Sequence, residues 1–135
     1  MKKLLSTNYS AGAFSTAVLL LRLSLGILMM HHGYDKLVHF SQYQTKFIAF
    51  AGMSSSMSLA MDIFAEFFCS LFLIIGLFTR LAVIPLIIAM CVALFKAHNM
   101  DFFATGEMAS LYLTGYLVLL LVGPGRVSVD SMIAK

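Results

Sequence analysis

Four long apolar blocks alternate with short polar stretches along the chain, and charged residues are scarce inside the blocks. The blocks cover residues of about 14–33, 57–78, 81–98 and 107–122. Each is close to the roughly 20 residues that an α-helix needs to cross the hydrocarbon core of a bilayer. The pattern therefore predicts an all-α membrane protein, a four-transmembrane-helix bundle that forms a single domain over residues 1–135.

The polar stretch after the first block has a helical pattern of its own. In LVHFSQYQTKFIAFAGM, the apolar residues Leu37, Phe40, Phe47 and then Phe50 or Ala51 recur at helical spacing, with polar residues between them. Such a pattern is typical of a helix that lies on a membrane surface or caps a bundle. We predict a short amphipathic surface helix between helices 1 and 2. The serines of GMSSSMS then supply an N-cap for helix 2.

The connections at the opposite end of the bundle are short. Only Thr79 and Arg80 separate the second block from the third, which predicts a tight hairpin between antiparallel helices. After the fourth block, Gly123 is predicted to end the helix in a left-handed conformation, and Pro124 prevents its continuation. We interpret the closing segment GPGRVSVD as structural.

The composition supports a membrane location. Of the 135 residues, 61% are hydrophobic and 11% are charged, and the mean hydropathy is +0.95. A soluble domain of this size could not bury so much apolar surface. The net charge of +3 is spread thinly along the chain, which argues against a nucleic-acid surface. Cys69 and Cys91 lie in separate apolar blocks without a CxxC motif, so we interpret them as small core residues.

Three ionisable residues, Arg22, Asp62 and Glu66, lie well inside the apolar blocks. Such residues cost several kcal/mol in a bilayer unless they are paired or hydrated. Arg22 lies roughly 12 Å from the start of the first block and Glu66 roughly 18 Å from the end of the second. This similar depth predicts an Arg22–Glu66 pair that fixes the helix register. Asp62 is one turn away on the same face, and its partner is left open between Lys36, Lys96, a histidine, water and a ligand.

The polar residues at the outer ends of the first and third blocks predict a polar pocket above Asp62. The full set of candidate pocket residues is Arg22, His31, His32, Asp35, Lys36, Asp62, Glu66, Lys96 and His98. Adjacent residues point about 100° apart on a helix, so His31 and His32 do not favour a shared ion, and no metal site is predicted. Simple solvation at a span end is the alternative interpretation for Lys36 and Lys96.

An ordered set of motifs resembles the DoxX family of small bacterial membrane proteins. RLSLG followed by HHGYDKL is similar to the signature of the first helix, and EFFCSLFLIIGLFTRLA is similar to the second helix. The third block ends in KAH, and the chain closes with the GPG-x-x-S-x-D pattern. The positions that match the family pattern are Arg22, Gly26, His32, Gly33, Asp35, Lys36, Glu66, Gly76, Arg80, Gly123, Gly125 and Asp130.

The resemblance implies a four-helix bundle in the bacterial cytoplasmic (inner) membrane, with its termini on one side. A slight excess of basic residues at the end that carries the termini places both of them in the cytoplasm. The family is named for its similarity to a subunit of thiosulfate:quinone oxidoreductase. The resemblance therefore implies a redox-associated subunit. The sequence contains no haem, flavin or iron–sulfur motif, so we expect no covalently bound cofactor, and electrons would come from a partner protein or directly from the substrate. We expect the protein to bind a quinone or a small sulfur species at an outward-facing polar pocket.

Two other functions remain compatible with the sequence. The chain could be a non-enzymatic scaffold or assembly subunit whose internal charges only fix its fold. It could also be a small proton-coupled transporter. The sequence leaves open whether the protein is an enzyme and whether it forms homo-oligomers.

Overall fold

A computed structural model describes residues 1–47, 49, 52–97, 101 and 103–134, and the regular structure within them is helical. The helices are α1 (Ala11–Val38), α2 (Phe40–Tyr43), α3 (Ser55–Ile75), α4 (Thr79–Val92), α5 (Glu107–Val122) and α6 (Val129–Ile133). Within α3, Phe64–Cys69 is π-helical, and α4 continues as a second π-helical turn over Ala93–Ala97. The predicted all-α class is confirmed for this part of the chain.

The lengths of these helices decide how many of them can cross a membrane. Among the described residues, three helices are long and apolar enough to do so: α1, α3, and α4 with its π-helical turn. Helix α5 coincides with the fourth predicted block, but its 16 residues extend only about 24 Å at 1.5 Å per residue. Its crossing of the membrane therefore stays a prediction. The first span is longer than predicted, because α1 extends beyond both limits of the block at 14–33.

Within its described residues, the segment between α1 and α3 contains less helix than the sequence predicts. Leu37 belongs to α1, and α2 has four residues. Phe50 and Ala51, which would complete the predicted amphipathic pattern, lie outside the described residues. The predicted serine cap is confirmed, since the side chain of Ser54 accepts the backbone N–H of Met57 at 3.2 Å.

Helix α1 packs along α3, and α4 packs along α5. The tightest part of the first contact is at Gly33, where a Cβ atom would lie 2.7 Å from the backbone nitrogen of Phe67 and 2.8 Å from the carbonyl carbon of Glu66. Backbone atoms cannot yield as a flexible side chain can, so this position requires glycine. Gly33 therefore sets the distance between α1 and α3 and places Glu66 level with the last turns of α1.

Replacing Gly33 by alanine is expected to lower the free energy of unfolding by about 2 kcal/mol, because an added methyl group would force α1 and α3 apart. Gly12 in the first turn of α1 is the matched control, since a Cβ there would meet only one atom, at 4.0 Å. The G12A variant should be neutral or slightly stabilising. Equilibrium unfolding in detergent micelles compares the two variants. An equally small effect of both would contradict the close approach.

The turn between α3 and α4 is held by the end of the chain. Gly76 ends α3 with a positive φ of 75°. The Asp130 carboxylate accepts the backbone N–H groups of Phe78 at 2.7 Å and Thr79 at 2.9 Å. The backbone N–H of Asp130 in turn donates to the carbonyl of Gly76 at 2.9 Å. The predicted hairpin at Thr79 and Arg80 is therefore displaced: the turn is residues 76–78, and Asp130 caps a helix that already includes Thr79.

Two arginines hold the start of this closing segment from the side. Nη1 of Arg22 donates to the carbonyl of Pro124 at 2.7 Å, and Nη2 of Arg80 donates to the carbonyl of Leu121 at 3.3 Å. Gly123 has a positive φ of 85° with ψ of −165°, so it ends α5 without the left-handed helical conformation that the sequence predicts. We call residues 123–130 the C-terminal latch, because they join α1, α3, α4 and α5.

Candidate functional site

An ion cluster joins α1 to α3 near the end where α1 finishes. The ammonium group of Lys36 donates to Oδ2 of Asp62 at 2.6 Å and to both carboxylate oxygens of Glu66 at 2.9 Å. The exposed fractions of the side chains are 23% for Lys36, 13% for Asp62 and 5% for Glu66. We call these three residues the Lys36 cluster. One ammonium faces two carboxylates, so the cluster has one negative charge in excess when all three groups are ionised.

The positions of these residues along their helices explain why they meet. Asp62 and Glu66 are four residues apart in α3 and therefore face the same side. Lys36 lies three residues after Gly33, on the face of α1 that approaches α3 most closely. Glu66 lies within the π-helical turn Phe64–Cys69, a feature that occurs often at functional sites.

Among the partners that the sequence left open for Asp62, the structure selects Lys36. Simple solvation of Lys36, the alternative that the sequence allowed, is wrong, because its ammonium group is bound by two carboxylates. Paired opposite charges at this position lower the cost of placing Asp62 and Glu66 inside a membrane-spanning helix.

The predicted Arg22–Glu66 pair is wrong. Arg22 is 1% exposed, and its guanidinium donates to the backbone carbonyls of Pro124 at 2.7 Å and Ile74 at 3.5 Å. Glu66 is bound by Lys36 instead. The buried arginine therefore holds the C-terminal latch and is not part of the predicted polar pocket.

The register of α1 against α3 explains this correction. Glu66 lies level with Gly33, which is about eleven residues, or roughly 16 Å, further along α1 than Arg22. Arg22 lies level with Gly76, where an added Cβ would be 2.5 Å from its Nη1. The predicted pair requires the start of the first span and the end of the second to lie at the same level. In fact α1 begins at Ala11, and its first turns extend past the end of α3.

Beside the Lys36 cluster, α3 and α4 form a groove that is open on one side. Its volume is about 220 Å³. It is lined by Phe47, Met53, Ser58, Met61, Asp62, Phe64, Ala65, Pro85, Ile88, Ala89 and Val92. We call it the α3–α4 groove. Asp62 is the charged residue among them, and the ring centre of Phe47 lies 5.6 Å from Nζ of Lys36. The rim residues Met61, Phe64 and Ile88 are 54%, 46% and 49% exposed, so the groove is open to the apolar surface of the bundle.

Asp35 lies near the Lys36 cluster but has other partners. Its carboxylate accepts the hydroxyl of Tyr43 at 2.8 Å and lies 3.2 Å from Nδ1 of His39. The hydrogen bond to Asp35 raises the pKa of the Tyr43 hydroxyl above its ordinary value. These contacts join α2 to the end of α1, beside the groove rather than inside it.

The other candidate residues lie at different places around the same end of the bundle. His31 and His32 are exposed, and the ring of His32 meets that of Tyr112 on α5 edge to face, with centres 6.3 Å apart. Lys96 is exposed in the π-helical turn that continues α4. His98 lies outside the described residues. The structure thus unites Lys36, Asp62 and Glu66 out of the predicted set.

Several groove residues were given no functional role by the sequence. Phe47 and Met53 come from the segment before α3, and Pro85 comes from α4. Phe47 belongs to the amphipathic pattern, but that pattern predicts only a buried or membrane-facing side and cannot indicate contact with Lys36. Cys69 is buried in the core as predicted, whereas Cys91 is only half-buried, and both are free thiols.

The described residues do not form a group of three or more histidine, cysteine, aspartate and glutamate side chains that could hold a metal ion. The Lys36 cluster itself offers one amine and two carboxylates, which can carry charge and bind protons.

Comparison with protein families supports the resemblance seen in the motifs. The DoxX family model matches residues 17–99, more than half of the chain. This stretch includes the Lys36 cluster and every lining residue of the α3–α4 groove. No curated protein and no solved structure matches the chain.

Proposed function

Since the chain belongs to the DoxX family of membrane proteins, we propose that it is a redox-associated subunit that binds the ring of a quinone in the α3–α4 groove. The observation that carries the proposal is the position of Asp62, which joins the apolar groove to the Lys36 cluster. A groove of this kind suits a molecule with an apolar body and polar carbonyl groups. Its apolar lining favours a quinone over a small sulfur species, which would need more polar partners.

The size and opening of the groove fit one end of such a molecule. Pockets that enclose a whole drug-sized ligand have volumes of roughly 300–1,000 Å³, whereas this groove has about 220 Å³. A single ring would occupy it, and an isoprenoid tail would leave past the exposed rim residues Met61, Phe64 and Ile88 into the lipid. The aromatic side chains of Phe47 and Phe64 would contact the ring.

The Lys36 cluster would lie beside the carbonyl groups of the bound quinone ring. A quinone, when bound, supplies the capacity to accept two electrons and two protons. The three N–H donors of the Lys36 ammonium already bind Asp62 and Glu66, so Lys36 would hold both carboxylates in place. Asp62 can hold a proton at the edge of the groove and donate it to a ring carbonyl. Glu66 lies deeper, at 5% exposure, and can exchange a proton with Asp62 through the Lys36 ammonium that both carboxylates share. The electrons would come from a redox partner protein in the membrane.

The proposed orientation follows the basic residues. With both termini in the cytoplasm, the Lys36 cluster lies toward the outer face of the bacterial inner membrane, and proton exchange takes place on that side. A homo-oligomer is compatible with this arrangement, provided that the rim of the groove stays open to lipid.

The proposal predicts saturable binding of a short-tailed menaquinone analogue, measured with radiolabelled analogue and the full chain in nanodiscs. Ala89 lines the groove, so A89L should fill part of it and weaken binding at least tenfold. Ala60 is exposed on α3 outside the groove, and the matched variant A60L should bind normally. D62N keeps the shape of the groove but removes the carboxylate at its polar edge, and it should weaken binding.

Two results would contradict the proposal: no saturable binding to the unmodified protein, or equal binding by A89L and A60L. If D62N and A89L also left every redox phenotype of the host bacterium intact, a scaffold function would be favoured. Proton-coupled flux of a solute in vesicles, in the absence of quinone binding, would favour a transporter.

A further inference from the structure

A second groove lies at the opposite end of the bundle, between the start of α1 and the C-terminal latch. Its volume is about 270 Å³, and it is lined by Tyr9, Ala11, Phe14, Ser15, Gly125 and Arg126. We propose that this groove, named here the Arg126 groove, binds the headgroup of an anionic phospholipid. The proposal is independent of quinone binding, because the two grooves share no lining residue.

The charges at this end of the bundle leave Arg126 available for a ligand. Arg22 and Arg80 already donate to backbone carbonyls, and both carboxylate oxygens of Asp130 accept backbone N–H groups. Arg126 is exposed, and within the described part of the chain it has neither a hydrogen bond nor an ion pair. The residues that line the groove include no acidic side chain. The site is therefore complementary to an anion.

The surroundings of the groove favour a lipid over a free anion. The rings of Tyr9 and Phe14 stack with their centres 5.8 Å apart and form one wall. Tyrosine is enriched at the level of lipid headgroups, which is the level where a membrane-spanning α1 would begin. Further along α1, Leu21 and Leu28 follow Phe14 at seven-residue intervals and therefore lie on the same face. Leu21 is half-buried and Leu28 is 55% exposed. A phospholipid whose phosphate lies beside Arg126 would thus place its acyl chains against the apolar surface of α1.

A lipid held in this way would also connect two parts of the fold. Ala11 and Phe14 belong to α1, whereas Gly125 and Arg126 belong to the latch that joins the other helices. A ligand that binds the folded state stabilises it by mass action. An anionic lipid should therefore raise the thermal midpoint of unfolding, whereas zwitterionic lipid should not.

The chain has no tryptophan, so Y9W introduces a single fluorescent reporter into the wall of the groove. The full chain carrying this change is placed in phosphatidylcholine nanodiscs that contain a small fraction of brominated lipid. Brominated phosphatidylglycerol should quench the fluorescence more strongly than brominated phosphatidylcholine at the same fraction. When R126Q is combined with Y9W, the preference for phosphatidylglycerol should fall roughly fivefold, because this is the contribution expected of one cation near an anionic leaflet. Lys46 is exposed near the other end of the bundle, and K46Q should leave the preference unchanged.

The thermal midpoint of the protein without the reporter provides the second readout. Phosphatidylglycerol should raise it for the unmodified chain and for K46Q, but less for R126Q. Equal quenching by the two brominated lipids would overturn the proposal, and so would a phosphatidylglycerol preference that survives R126Q. Loss of that preference on addition of millimolar inorganic phosphate, at constant ionic strength, would assign the groove to a free anion and equally overturn it.

Discussion

Replacing Lys36 by methionine is expected to lower the free energy of unfolding by about 3 kcal/mol, because two carboxylates would lose the cation that neutralises them. Asp62 and Glu66 lie 2.6 and 2.9 Å from the Lys36 ammonium, and their side chains are 13% and 5% exposed. Because the side chain of Glu66 is so little exposed, water can solvate its carboxylate only slightly when the Lys36 ammonium is removed. The expected loss is measured by equilibrium unfolding of the purified protein in detergent micelles.

Two further variants separate the loss of charge pairing from a loss of packing. The triple variant K36M/D62N/E66Q removes all three charges and should recover at least half of the stability lost in K36M, since coupled residues are not additive. The control K46M changes an exposed lysine and should have little effect. If K36M and K46M were equally stable, the Lys36 cluster would not hold α1 against α3.

Replacing Asp130 by alanine is the second change with a large expected effect, a loss of about 2 kcal/mol. Its carboxylate accepts the backbone N–H groups of Phe78 and Thr79 at the start of α4. These donors would have no partner within the turn after the substitution, and an unsatisfied backbone group near the bilayer is costly. The same unfolding experiment measures the loss.

The D130N variant retains one acceptor oxygen in the side chain and should lose about half as much stability as D130A. Asp101 provides a control, because it is an exposed aspartate whose side chain accepts, from the described residues, one long hydrogen bond, at 3.5 Å from Thr105. D101A should be nearly neutral. Equal stability of D130A and D101A would show that the C-terminal latch does not hold the turn between α3 and α4.

The helices were predictable because the signals that specify them are local. Long apolar blocks, the Ser54 cap, and the Gly and Pro that end α5 are visible without knowledge of how the helices pack. The importance of Asp62 and Glu66 was also predictable, because carboxylates are rare and costly in apolar segments. Their partners depend on the register between α1 and α3. That register is set by contacts between the helices, such as the close approach at Gly33, and a local sequence pattern does not show it.

Arg22 is the case where local reasoning failed. The ends of the apolar blocks predict that Arg22 lies close to the level of Glu66. In the structure α1 and α3 are offset from this register by two or three turns, so Arg22 contacts Pro124 and Glu66 contacts Lys36. The exchange of partners has a physical basis, since Pro124 and Ile74 offer backbone carbonyls at helix ends and an arginine can satisfy several of them. The buried arginine therefore has a structural role in holding the latch, and the ion cluster near the end of α1 forms around Lys36 instead.

The α3–α4 groove could not be predicted, because its walls come from segments far apart in the chain. Phe47 precedes α3, Asp62 lies within it and Pro85 belongs to α4. Each has an ordinary structural explanation when considered alone. Their common position beside the Lys36 cluster provides a polar end for an otherwise apolar groove, and this combination supports quinone binding.

Photochemical cross-linking with an azido-quinone maps where the ring binds, and so shows directly whether the α3–α4 groove holds a quinone. The full chain in nanodiscs is irradiated with the probe, and the modified peptides are identified by mass spectrometry. We expect adducts on the groove walls, in residues 53–65 of α3 and its preceding segment and in residues 85–92 of α4. Excess menaquinone analogue should abolish them, and A89L should reduce them whereas A60L does not. Adducts spread over all lipid-facing helices, or adducts that the analogue does not displace, would contradict quinone binding in the α3–α4 groove.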